Sequence, residues 1–164
     1  MSDNLTSTDL QAYLDKHQID GQILHLDVPT PTVPTAADAV GAQVQQIVKT
    51  LLFLVNGEPV VAIACGVDPV DRRPIAELLG VGKKRVKLAN ADQVSEITGY
   101  SAGAVPPFGH RRSSRTLIDP QVVAQETVYA GGGDENALMR LSPKTILAQT
   151  QAEVLSLLSP PKNS

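Results

Sequence analysis

Hydrophobic and polar positions alternate along the chain in short blocks that predict helices and strands in turn. The clearest signal is a pair of apolar, β-branched runs, at 46–55 and 60–65, separated by a segment that begins Asn56-Gly57. This dipeptide between two apolar runs predicts a β-hairpin. Because a tight hairpin joins antiparallel strands, the sheet cannot be purely parallel.

The other blocks follow the same alternation. Apolar residues at helical spacing predict a first helix over 6–19, with Ser7 or Thr8 as its cap, and Thr35 is expected to cap the second helix. Further helices are predicted up to about 40, over 72–79, over 91–98, at a turn opening at Pro120 and from Pro143 onward, with strands at 22–28, 84–89, 116–119, 127–133 and 137–142. The pattern predicts the α/β class with a mixed sheet.

Length and composition set the broad class of the protein. The 164 residues fit one domain, 1–164, with a core at about 6–158 and a short flexible C-terminal tail. No apolar run approaches the roughly 20 residues of a membrane span, and the first residues lack the pattern of a secretory signal. The single cysteine, Cys65, is expected in the core and favours a reducing compartment, so we expect a cytoplasmic protein with no membrane partner.

Charge is distributed unevenly although the net charge is only −3. Residues 72–115 carry nine basic and three acidic side chains, whereas the rest of the chain carries five basic and fourteen acidic ones. A basic central third is typical of a surface that faces a polyanion, and solvated faces of ordinary helices and loops would give the same count. Aromatic residues make up 3% of the chain, which argues against recognition by several base-stacking rings.

Familiar catalytic motifs are weak or absent. Residues 99–103, GYSAG, match the G-x-S-x-G nucleophile elbow, but the predicted helix precedes the serine and prolines follow it, so we reject this interpretation. The three histidines, His17, His25 and His110, are scattered over separate elements without metal-ligand spacing. The sequence therefore predicts neither a metal site nor a cofactor.

Three other features could carry chemistry. Lys49 interrupts an apolar strand, where it would either extend its ammonium to solvent or supply a fixed cation at the mouth of a site. The loop 99–110 is either a surface loop or a pocket built from backbone N–H groups around Gly103. The triplet Gly131-Gly132-Gly133 would make a second wall of such a pocket or a simple turn.

Four segments, 48–53, 98–110, 115–119 and 128–133, together resemble the YbaK family of aminoacyl-tRNA deacylases. This family also supplies the editing domain of bacterial prolyl-tRNA synthetases. The resemblance implies a barrel-like mixed β-sheet flanked by helices. It also implies hydrolysis of the ester that joins a wrong amino acid to the 3′-terminal adenosine of a tRNA. The implied partners are the aminoacylated 3′ end of tRNA and an aminoacyl-tRNA synthetase.

The resemblance also assigns roles to residues. Lys49 matches the essential lysine, and Gly103 to Pro107 match a G-x-x-x-P loop, which makes Lys49 and Gly103 the catalytic candidates. The implied substrate-binding residues are Ala104, Pro107, Phe108, Gly109, His110, Gly131, Gly132 and Gly133. Two positions depart from the cysteine-clearing branch of the family, because Gly131 stands where a serine is expected and Leu138 near an expected aspartate.

The basic segment supplies candidate contacts to tRNA phosphates: Lys83, Lys84, Arg85, Arg111 and Arg112. The sequence thus favours a trans-acting deacylase that clears a small amino acid from tRNA(Pro) or a related tRNA. Two other functions stay open: a non-catalytic module of the same fold that binds tRNA or a synthetase, and a small-molecule esterase.

Overall fold

A computed structural model describes residues 3–159. The helices are α1 (Ser7–His17), α2 (Val33–Val40), α3 (Arg72–Leu79), α4 (Ala91–Thr98), α5 (Pro120–Val123) and α6 (Pro143–Thr150). The strands are β1 (Gln22–His25), β2 (Val48–Val55), β3 (Glu58–Cys65), β4 (Val86–Leu88), β5 (Arg115–Ile118), β6 (Val128–Gly131), β7 (Ala137–Leu141) and β8 (Glu153–Val154). The expected C-terminal tail at 160–164 lies outside the described residues.

The strands form two sheets, which confirms the predicted mixed α/β class. A five-stranded sheet has the order β4-β2-β3-β5-β8, and a three-stranded sheet has the order β1-β7-β6. β2 pairs antiparallel with β3 and β4, whereas β3–β5 and β5–β8 are parallel. Among the described residues, a single backbone bridge, between Ile47 and Tyr129, joins the two sheets, so the barrel implied by the resemblance is not closed.

The predicted hairpin is confirmed and fixes the register of the larger sheet. Asn56 and Gly57 have φ angles of 51° and 84°, the left-handed pair that a two-residue hairpin turn requires. β3 consequently pairs with the whole of β2, from Val48 opposite Cys65 to Val55 opposite Glu58. The turn thereby sets which residues of β2 face each side of the sheet.

Two predicted helix caps are wrong by a few residues. Thr6, not Ser7 or Thr8, caps α1, because the Asp9 carboxylate accepts the Thr6 N–H at 2.8 Å. Thr32, not Thr35, caps α2, and its hydroxyl accepts the Thr35 N–H at 3.2 Å. In each case the residue three positions after the cap accepts a hydrogen bond from the N–H of the cap residue. The cap is therefore chosen by a pair of residues, which the preferences of single residues for the cap position do not reveal.

The larger sheet has a hydrophobic cluster on each face. On one face, residues of β3 such as Ile63 pack with α1, with α6 and with residues of the three-stranded sheet such as Met139. On the other face, Ala62 of β3 and Leu117 of β5 pack against α3. Cys65 is 1% exposed, which confirms its place in the core. Within residues 3–159, no helix is long and apolar enough to span a bilayer.

Candidate functional site

The main candidate site is a cavity of about 300 Å³ at the point where the two sheets separate. It contains three of the residues that the sequence singled out: Lys49 on β2, Gly103 in the long loop and Gly131 at the end of β6. We call it the Lys49 cavity. Its other walls come from the segment before α2, from α2 itself, from β2 and from β7: Thr30, Pro31, Thr32, Val33, Ala36, Ile47, Val48, Thr50, Leu51, Val105 and Leu138.

Lys49 is half-buried near the start of β2, opposite Ala64 on β3. Its Nζ donates a hydrogen bond to the backbone carbonyl of Asp68. Burial lowers the pKa of the Lys49 ammonium, and the nearby Asp68 partly opposes this shift. Within residues 3–159 the ammonium forms no ion pair, so its charge remains available to a ligand in the cavity.

Two residues of the loop 99–110, Gly103 and Val105, line the Lys49 cavity. Gly103 has a φ of 90° and nothing lies within 4 Å of the position its Cβ would occupy, so conformation, not space, favours glycine there. The Ala104 N–H donates to the Ser101 carbonyl at 3.0 Å and is therefore occupied. Among the described residues, no acceptor is recorded for the N–H of Gly103 or Val105. These two groups form a candidate oxyanion site.

The rest of the predicted substrate-binding loop does not face Lys49. Ala104 is buried, and Pro107, Phe108, Gly109 and His110 line a separate polar cavity of about 150 Å³, whose other lining residues are Tyr13, Ser113, Ser114, Thr116, Gln149 and Thr150. The His110 Nε2 lies 2.7 Å from the Pro106 carbonyl, and burial lowers the pKa of the imidazole. These residues anchor the loop, so that the Gly103 end stays in place.

The glycine triplet is mainly a packing device. A Cβ on Gly131 would lie 2.1 Å from the Val105 carbonyl oxygen, and one on Gly132 would lie 2.6 Å from the backbone of Ala137. Gly133 is buried against the start of α1, and its N–H donates to the Ala104 carbonyl at 3.0 Å. Only Gly131 of the three lines the Lys49 cavity. The serine expected at 131 has no room in this arrangement.

Four of the five candidate tRNA contacts lie at the other end of the larger sheet. Lys83, Lys84 and Arg85 form an exposed 3₁₀ turn directly before β4, which pairs with the hairpin end of β2 at Val55. Arg112 pairs with Glu58 at 3.4 Å at that same end, and Arg111 donates to the carbonyl of Asp3. Six residue-to-residue steps along β2, about 20 Å at roughly 3.3 Å per step, separate Val55 from Lys49. A ligand would have to be long to touch both.

Sequence reasoning missed several residues of the Lys49 cavity. Thr50 follows Lys49 on the opposite face of β2, and Val105 lies inside the G-x-x-x-P loop motif. Neither residue is itself unusual, so the sequence drew attention only to the residues beside them. Val33 and Ala36 come from α2, which carries no chemical motif. Ser101 follows α4 directly, without a preceding strand, which confirms the rejection of the nucleophile elbow. In the part of the chain described, no three His, Cys, Asp or Glu residues cluster as a metal site would require.

The thiol nearest to this region is an unsuitable nucleophile. Burial, reinforced by Asp119, raises the pKa of Cys65 to about 11, although Lys49 acts in the opposite direction. The Asp119 carboxylate is 2% exposed and accepts N–H bonds from Gln121 and Leu157, both at 2.8 Å. Asp119 therefore ties β5 to the C-terminal segment. The chemistry of the site rests on Lys49 and on backbone groups.

Comparison with known proteins identifies the relatives of this chain. The family described as "Aminoacyl-tRNA editing domain" matches residues 27–148. A solved structure of a proposed trans-editing enzyme for prolyl-tRNA synthetase is 32% identical with a TM-score of 0.85, and the alignment covers 94% of this chain and 97% of that one.

Two curated sequences extend the comparison. EbsC of Enterococcus faecalis, described as a proposed Cys-tRNA(Pro)/Cys-tRNA(Cys) deacylase, is 25% identical over 73% of this chain and 72% of its own length. The proline–tRNA ligase of Maridesulfovibrio salexigens is 32% identical over 64% of this chain. The match spans only 18% of the ligase, so the resemblance is to one part of it.

Proposed function

We propose that this chain, which belongs to the aminoacyl-tRNA editing domain family, is a trans-acting deacylase that removes a small amino acid from mischarged tRNA(Pro) or a related tRNA. The observation that carries the proposal is the Lys49 cavity, which brings together an ammonium with no ion-pair partner among the described residues and two residues, Gly103 and Val105, whose N–H groups have no acceptor in that part of the chain. Membership of the family supports hydrolysis of the aminoacyl ester as the reaction.

The proposed reaction needs little covalent chemistry from the protein. A water oxygen attacks the ester carbonyl carbon, and the N–H groups of Gly103 and Val105 stabilise the negative charge that develops on the carbonyl oxygen. The bond from the carbonyl carbon to the ribose oxygen then breaks, and the proton lost by the water passes to that oxygen. Lys49 holds the terminal ribose or phosphate so that the ester meets the N–H pair. A hydroxyl of the substrate's own ribose assists in activating the water.

The walls of the Lys49 cavity suggest which amino acids it accepts. Val33, Ala36 and Leu138 supply aliphatic surface, and none of the described residues that line the cavity is acidic. A hydroxyl that enters this surface loses hydrogen bonds to water, whereas a methyl group does not. We therefore expect alanine to be preferred over cysteine and serine, with each step limited to the roughly 1–3 kcal/mol that one small group supplies.

The first test is deacylation of Ala-, Cys- and Ser-tRNA(Pro) by the full chain, with correctly charged Pro-tRNA(Pro) as the control. We expect hydrolysis of the alanyl ester to be fastest and the prolyl ester to be spared. Salt-sensitive tRNA binding without any hydrolysis would instead establish the non-catalytic module. Cleavage of a simple amino acid ester at the rate of the tRNA ester would establish the small-molecule esterase.

The basic turn at 83–85 is proposed to contact phosphates away from the ester. Replacing Lys83, Lys84 and Arg85 together by alanine should lower the affinity for tRNA and reduce the slope of log affinity against log salt by about 2, because each phosphate contact contributes roughly 0.7–0.9. The rate at saturating tRNA should change little, since the turn lies far from Lys49. The matched control replaces Lys16, Arg140 and Lys144. An equal loss in the control would show that only net charge matters.

A synthetase partner and the domain limits are also proposals. The matched part of the proline–tRNA ligase supports the idea that this chain supplies in trans what the ligase carries within its own length. We propose a single editing domain with a core at about 6–158, because β8 and Leu157, near the end of the described residues, are still bonded to β5 and Asp119.

A further inference from the structure

A second cavity lies beside the Lys49 cavity, between β2 and α4, and we call it the α4 cavity. Its volume is about 160 Å³, and it shares Thr50, Leu51, Gly103 and Val105 with the Lys49 cavity. Its remaining walls are Leu52, Val61, Leu88, Ala89, Val94, Thr98, Ala102 and His110. This volume exceeds that of several waters at about 30 Å³ each, and it is smaller than the roughly 300 Å³ of a typical drug-sized site. It therefore has room for a group the size of one ring system.

Part of one edge of β2, beside this cavity, is not paired with β4. β3 pairs with all of β2, whereas β4 pairs only with Phe53–Val55. The Ala89 N–H donates to the Leu52 carbonyl at 2.9 Å, so the backbone groups of Leu52 point toward the β4 edge. Alternate residues of a strand point their backbone groups the same way. The carbonyl of Thr50 and the N–H of Leu52 therefore point to this same edge, next to the place where the bond from Ala89 ends the pairing on the β4 side.

We propose that the α4 cavity binds the adenine ring of the terminal nucleotide while the aminoacyl group occupies the Lys49 cavity. The Thr50 carbonyl accepts a hydrogen bond from the adenine amino group, and the Leu52 N–H donates to adenine N1. Enzymes that act on an unstacked nucleotide read its Watson–Crick edge in this way, between apolar side chains. This subsite rests on the proposed function, because the ester is attached to the ribose of that nucleotide.

The pair of backbone groups also predicts which base is rejected. Guanine presents an acceptor and a donor where adenine presents a donor and an acceptor, so both hydrogen bonds would be replaced by repulsive contacts. Buried polar groups left unpaired in this way cost about 1–3 kcal/mol, which is a factor of roughly 5 to 150 in affinity. The α4 cavity is therefore selective for adenine.

An unsatisfied hydroxyl supports the same assignment. Thr50 Oγ1 is buried and has no hydrogen-bond partner among the described residues, although Thr50 lines both cavities. A buried hydroxyl without a hydrogen-bond partner lowers the stability of the fold unless a ligand or a water molecule forms a hydrogen bond with it. A ring nitrogen of the base or a ribose hydroxyl at the junction of the two cavities would supply that partner.

The test uses adenosine, guanosine and purine riboside 5′-monophosphates as probes, titrated into the full chain and followed by the NMR signals of its backbone amides. We expect AMP to bind at least fivefold more tightly than the other two nucleotides and to shift the amides of Thr50 and Leu52. Purine riboside monophosphate lacks only the amino group, so it isolates the bond to the Thr50 carbonyl. Equal binding of the three nucleotides, or none, would overturn the subsite.

A cavity-filling variant tests the same subsite in the reaction. Ala89→Leu should weaken AMP binding at least tenfold and raise KM for aminoacyl-tRNA by a similar factor, with kcat changed less than threefold. Ala91→Leu, at the exposed start of α4, is the matched control and should behave as the wild type. AMP selectivity without any aminoacyl-tRNA hydrolysis would leave the subsite standing and overturn the proposed function. Hydrolysis that is unaffected by Ala89→Leu would overturn the subsite alone.

Discussion

Lys49→Ala is expected to lower kcat/KM for aminoacyl-tRNA deacylation at least 100-fold. Among the described residues, the Lys49 ammonium is the one basic group that lines the Lys49 cavity, and it has no ion-pair partner there. In the proposed reaction Lys49 holds the terminal ribose or phosphate, and misplacing a reacting group by about 1 Å costs roughly 10²-fold in rate. The measurement is single-turnover hydrolysis of the tRNA ester that the wild type cleaves fastest, and Lys144→Ala, on α6, is the matched control.

A companion variant separates the loss of charge from a loss of folding. Lys49→Met keeps a side chain of similar length without the ammonium, and we expect it to be as inactive as Lys49→Ala. Because burial is the main cause of the lowered pKa of Lys49, charging this side chain opposes folding. The methionine variant should therefore be at least as stable as the wild type at neutral pH. An active methionine variant would contradict the role of the cation.

The pH dependence of stability gives a second check on the same lysine. Since the native pKa of Lys49 lies below the unfolded value, the unfolded chain binds more protons between the two values. The stability of the wild type, relative to Lys49→Met, should consequently rise as pH increases through the native pKa toward 10.5. Urea denaturation of both proteins between pH 7 and 10.5 measures this difference. A difference that stays constant over this range would mean that Lys49 is not desolvated.

Local signals in the sequence predicted the elements but only part of the site. The Asn56-Gly57 turn acts through its own backbone angles, and the structure confirms it. The structure also confirms the predicted helices over 72–79 and 91–98, each of which is followed by a glycine with a positive φ. The contact between Gly131 and Val105 joins residues far apart in the chain, and no local pattern encodes it. For the same reason β8 was missed, since its two residues become a strand only by pairing with β5.

The same distinction between local and long-range causes explains which candidate residues line the Lys49 cavity and which do not. Lys49, Gly103 and Gly131 could be grouped from their motifs because the motifs mark unusual residues in regular surroundings. The neighbouring residues Pro106, Pro107 and Phe108 are equally unusual, but they are buried and hold the loop in place. A motif therefore identifies a segment, whereas the packing decides which of its atoms reach the ligand.

Gly131→Ser is expected to destabilise the protein by about 3 kcal/mol and to lower deacylation more than tenfold. The new Cβ would lie 2.1 Å from the Val105 carbonyl oxygen and 2.7 Å from its carbonyl carbon, so the loop backbone must move. Overpacking of a well-packed interior costs about 1–3 kcal/mol, and more where backbone has to shift. The same movement displaces the N–H groups of Gly103 and Val105, which we propose bind the ester oxygen.

The control for this substitution is Gly82→Ala. Gly82 has a φ of −72° and nothing lies within 4 Å of its Cβ position, so alanine should be neutral or stabilise by about 0.4–1 kcal/mol through the unfolded state. Chemical denaturation and single-turnover deacylation of both variants separate the two losses. If Gly131→Ser kept wild-type stability, the loop could yield to a side chain at 131, and glycine there would have to be explained by the substrate. If stability fell while the deacylation rate held, the N–H groups of Gly103 and Val105 would not be the oxyanion site.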